Sequence, residues 1–214
     1  MNLLRPAGEE GISGRLAACK SKARSGFSFP QRKGIHMSVN FTEHTAATYI
    51  SAIRATLQEE LQALGCSIIQ ACDEDGDLLF WDEREDRHYL VQFDEDKDPQ
   101  FMRFSFWFWG IDDAVEREQA VRCCEAVTGV GKMVKLFILA HEREKVCISI
   151  ELLLPVVQDA NGQLDMEATN PLVRACLSRG LLIRYLNQLR TAANEFGRRM
   201  REMRSESSPS RWLN

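Results

Sequence analysis

From Thr42 onward, apolar residues return every three or four positions: Ile50, Ile53, Leu57, Leu61 and Leu64. That spacing lines one face of an α-helix. Thr42 suits its N-cap, with Thr45 or Glu43 favouring the positive end, and Gly65 suits its close. The period then shortens to two. The runs SIIQAC, LLFWDE, RHYLVQFDE and QFMRFSFWFWG are short, β-branched or aromatic, and bounded by turn residues. They predict an antiparallel meander of three or four strands.

Asp112 and Asp113 offer caps for a second helix, DDAVEREQAVRCCEAVTG, with Ala114, Val121, Cys124 and Val127 inward and Gly129 and Gly131 at its end. KMVKLFILA and KVCISIELLLP alternate as a second hairpin around HEREK. Pro171 can open a long final helix whose apolar side carries Leu172, Cys176, Ile183, Leu186, Leu189, Ala193 and Phe196, with Gly180 as a weak point or close contact. The order α-β-β-β-α-β-β-α predicts an α+β fold, one domain with an antiparallel sheet and helices. The domain spans residues 39–204, ahead of a flexible tail at 205–214.

The acidic stretch CDEDGDLLFWDERED raises the question of a calcium loop. Counted from Asp73, the sixth position is Leu78 and the twelfth is Arg84, where an EF-hand needs Gly and a bidentate Glu. Asp75-Gly76 is instead a favoured pair for a tight hairpin turn. On the strand FMRFSFWFWG, strict alternation sets Met102, Phe104, Phe106 and Phe108 against Arg103, Ser105, Trp107 and Trp109. Two tryptophans on the polar side mean either a helix covering that face or an aromatic patch for a partner or a second copy. Arg103, Trp107 and Trp109 are therefore the candidate partner or dimer surface.

Three passages, DEDGDLLF, VTGVGKMVKLFIL and VCISIELLLP, together with the element order, resemble the YbjN-like domain family across residues 40–200. That family is related in fold to the type III secretion chaperones. The resemblance implies a non-enzymatic protein, a regulator or chaperone, that binds a protein partner or forms a homodimer. It brings no catalytic residues and no cofactor. A dedicated secretion chaperone holding an effector segment is a second reading.

Of the 214 residues, 44% are hydrophobic and 27% charged, as in ordinary globular proteins. The net charge of −4 argues against nucleic acid as partner. No apolar run reaches the ~20 residues of a membrane span. Residues 1–38 are basic and aperiodic: a disordered leader, an organelle transit sequence, or sequence upstream of a true start at Met37. The seven cysteines show no CxxC spacing, as suits free thiols in a reducing cytoplasm, with Cys123-Cys124 a candidate redox pair. An unrecognised thiol or hydrolytic enzyme would have to join Cys66, Cys72 or Cys147 to His44, His88 or His141. No nucleophile elbow or phosphate loop supports one.

Overall fold

The computed structural model describes residues 41–70, 76–94, 98–139 and 144–207. The elements run α1 (Glu43–Ala63), β1 (Cys66–Gln70), β2 (Leu78–Asp82), β3 (Arg87–Asp94), β4 (Asp98–Gly110), α2 (Ala114–Val130), β5 (Val134–Leu139), β6 (Lys145–Leu153), α3 (Met166–Cys176) and α4 (Arg179–Ser207). The predicted α+β architecture is the one observed. The meander has four strands, and the last helical region is two helices. The leader, Asp73, Asp75, Cys72, His36, His141 and the tail beyond 207 lie outside the described residues.

Local chemistry sets the boundaries. Thr42 and Thr45 form a reciprocal capping box at α1, in which each side-chain oxygen accepts the other residue's N–H. Gly65 ends it at φ 80°, a left-handed conformation that costs glycine little. Asp113 caps α2 through the Glu116 N–H, and Asp165 caps α3 through the Ala168 N–H. The helix that was to begin at Pro171 begins at Met166, and Pro171 sits within it. The break comes at Leu177 and Ser178, before Gly180, which has open space around it. Leu172 and Ile183, expected inside, are exposed, as is Ala114 of α2.

All six strands join one antiparallel sheet in the order β1-β2-β3-β4-β6-β5. After β4 the chain crosses by α2 to the edge strand β5, and β6 returns between β5 and β4. Helices pack on one sheet face. Ile50, Ile53, Leu57 and Leu61 of α1, Cys123 and Val127 of α2, and Leu186, Leu189 and Phe196 of α4 share a single core cluster with Phe80, Tyr89, Phe104, Phe106, Ile148 and Ile150. Leu79, Leu90 and Cys147 are also buried but stand outside that cluster, on the opposite face.

Candidate functional site: the sheet face opposite the helices

Strand register assembles this face row by row. One row runs Leu79, Leu90, Ser105, Ser149 and Lys135 across β2, β3, β4, β6 and β5. Toward one end lie the pairs Trp81–His88 and Trp107–Cys147–Phe137, and carrying the β3–β4 register two residues on sets His88 beside Trp107. Toward the other end stand Gln92, Arg103 and Glu151. Beyond them, Phe101 and Leu153 are 41% and 63% exposed.

The aromatic end is half-buried. His88 stacks on Trp81 with ring centroids 6.1 Å apart and planes 13° from parallel. The indole nitrogens of Trp81 and Trp107 are buried, and neither has a hydrogen-bond acceptor among the described residues. Such a donor costs about 1–3 kcal/mol, so each is a place where an added acceptor gains. The charged end is internally matched. Arg103 donates to Glu151 from Nη2 at 2.8 Å and from Nε at 3.2 Å, and Lys135 reaches the second carboxylate oxygen. Partial burial opposes ionisation of Glu151, but Lys135 and Arg103 outweigh it and hold its pKa below the ordinary value.

Arg103 and Trp107 thus lie where alternation puts them, and Trp109 does not. A bulge between Trp107 and Trp109 leaves Phe108 unpaired, so that Trp107 pairs with Cys147 while Trp109 pairs with the next residue back, Val146. An extra residue reverses the facing of all that follows. Phe108 and Trp109 both turn toward α4, where they meet the Phe196 ring at 5.3 and 5.7 Å. The Trp109 indole donates to Glu116 at 2.9 Å. Glu116, on the inward face of α2, also accepts from the Asp112 N–H at 3.0 Å and from Arg204. Burial opposes its ionisation, yet these three donors hold its pKa below the usual carboxylate value.

Two features of the helix side escaped sequence reasoning. Glu116 is one; its spacing after Asp113 marks a helix start but not its inward turn. The other is Asp82, fully buried in β2. Arg190 of α4 binds it, as does Arg84 from Nε at 3.2 Å, and Arg190 also donates to the Tyr89 hydroxyl at 3.3 Å. Only the alternation of LLFWDE hinted that this aspartate points inward.

Thiol chemistry has little support in the geometry. Burial pushes the Cys66 and Cys123 thiols up, and Cys124 to about 12, so all three stay protonated near neutrality. Among the described residues no group of three or more His, Cys, Asp and Glu could hold a metal ion. His44 is exposed and His88 is engaged with Trp81.

No protein-family model matches the chain, and no curated protein matches it. Among solved structures, it is similar to the crystal structure of YbjN, a candidate transcription regulator from E. coli. The likeness has a TM-score of 0.40 and 15% identity, and covers 71% of this chain and 91% of that one. No helix among the described residues is long and apolar enough to cross a membrane.

Proposed function

We propose that this protein is a non-enzymatic protein-binding module of the YbjN-like type, acting in the cytoplasm, and that the sheet face no described helix covers takes a second copy of the chain. The YbjN-like part of the proposal rests on the three sequence passages and the element order. The binding role rests on one structural observation: the half-buried aromatic row Trp81, His88 and Trp107 lies on a sheet face that no described helix covers.

Size and charge favour a copy of the same surface. Six strands about 4.8 Å apart span roughly 25 Å, and the longer strands extend about as far. That face is of the order of the ~800 Å² per partner of a standard interface. It carries Arg103 and Lys135 beside Glu151, so the same patch turned about a two-fold axis meets both signs of charge. The aromatic end supplies the anchors that dominate such interfaces.

Co-expression of tagged and untagged chains tests the proposal. Capture of the tag should bring down the untagged copy. Trp81→Lys/Trp107→Lys should abolish that recovery while the circular dichroism spectrum is kept. Trp109→Phe, on the helix side, should leave it intact. Recovery unchanged in the double lysine variant would overturn the assignment of the face.

A further inference from the structure

On the helix side, where the ends of β3 and β4 meet α4, lies a hollow of about 250 Å³. Its polar lining is Arg87, Arg201 and Asn194, and Phe108 and Trp109 form its apolar wall. Among the described residues no acidic side chain lines it. Around it, the arginines are occupied: Arg190 holds Asp82 and Glu85, Arg198 holds Glu195 and Glu202, Arg199 holds Glu195, and Arg204 holds Glu116. Arg87 and Arg201 have no carboxylate partner among the described residues. Arg87 is held in place by the Phe106 ring, 4.5 Å below its guanidinium carbon. Glu195, next to Asn194 on α4, is neutralised by Arg198 and Arg199, whose hydrogen bonds push its pKa down to about 2.

The floor of the hollow adds a second, independent sign. Gly197 lies within α4, where glycine weakens a helix relative to alanine. Its backbone does not require glycine: a Cβ there would stand 3.6 Å from Arg201 Nη1 and 3.8 Å from Trp109 Cζ3, ordinary contact distances. The residue's absent side chain keeps the space between these two groups open.

We infer that this hollow binds a small phosphorylated molecule, its phosphate between Arg87 and Arg201 and its carbon skeleton against Phe108 and Trp109. Two guanidinium forks match the oxygens of a phosphate, and the half-buried aromatic wall suits the organic part. The site is on the sheet face opposite the proposed dimer surface, so either assignment can fail without the other.

Calorimetric titration of the full chain with inorganic phosphate and with phenyl phosphate, at constant ionic strength, tests the inference. Saturable binding is expected for both, with phenyl phosphate several-fold tighter and succinate weaker than either. Arg87→Gln and Arg201→Gln should each weaken binding at least fivefold. Gly197→Leu, which fills the hollow and keeps both guanidinia, should abolish it. Arg184→Gln, an exposed arginine of α4 away from the hollow, should bind within twofold of wild type. Arg201 is itself exposed, so its variant decides the matter if Arg87→Gln fails to fold. The inference falls if the wild-type chain shows no saturable phosphate binding. It falls equally if Arg201→Gln binds as wild type, or if Arg184→Gln loses as much.

Discussion

Asp82 and Glu116 are two acids turned into the helix side of the sheet, each held by an arginine of α4. They staple the C-terminal helix to both halves of the fold. Asp82 has no solvent exposure, so removing it leaves the 18% exposed Arg190 without its main counter-charge. Asp82→Ala should therefore cost about 3–5 kcal/mol, read as a shift in the urea midpoint at unchanged m-value. Glu116 predicts a pH effect. Its folded pKa lies below the ordinary 4.5, so its contribution is fully present above that value and is lost as pH falls through the folded one. Glu116→Gln should flatten the acid limb of the stability profile as pH falls below the ordinary carboxylate range. An acid limb as steep as wild type would show that what Trp109 and Arg204 gain from Glu116 does not depend on this carboxylate's charge.

At the scale of elements, periodicity carried the strands and α1 because their chemistry is local. Alternation in RHYLVQFDE and KVCISIELLLP, the Thr42 cap and Gly65 all act within a few residues. What the pattern left out depends on partners distant in sequence. The Phe108 bulge arises where β4, thirteen residues long, pairs with a β6 of nine, and nothing in FWFWG marks the extra residue. The α3–α4 break sits at Leu177, which is fully buried in the core, and a buried leucine gives no sign of a helix end. The face of α2 was legible in part: Cys124 and Val127 are buried as expected, but Ala114 is exposed, and Glu116 looks like a solvent residue until Arg204 is beside it. Phe196 joins these elements, meeting Phe108 and Trp109 edge-on. Phe196→Ala should cost about 3–5 kcal/mol and lower protection from hydrogen exchange in α4 more than in α1. Equal loss in both helices would mean the molecule opens only as one unit.

The candidate surface was half legible: Arg103 and Trp107 stand on the face opposite the described helices, and Trp109 is turned off it by the bulge. Trp81 and His88 belong with them, which only the pairing of β2 with β3 reveals. At the scale of the whole molecule, then, one sheet separates two surfaces of different character. One side carries the described helices and their arginine–carboxylate contacts. The other presents an aromatic row, a row with two serines, and a matched set of charges. The proposed dimer would cover this breadth of face and its half-buried tryptophans. Sedimentation equilibrium of the full chain from about 1 to about 100 µM, the range in which ordinary dimers assemble, tests that claim most directly. The account predicts a dimer for wild type and for Trp109→Phe, and a folded monomer for Trp81→Lys/Trp107→Lys. A wild-type chain that stays monomeric throughout, or a double lysine variant that still dimerises, would contradict it.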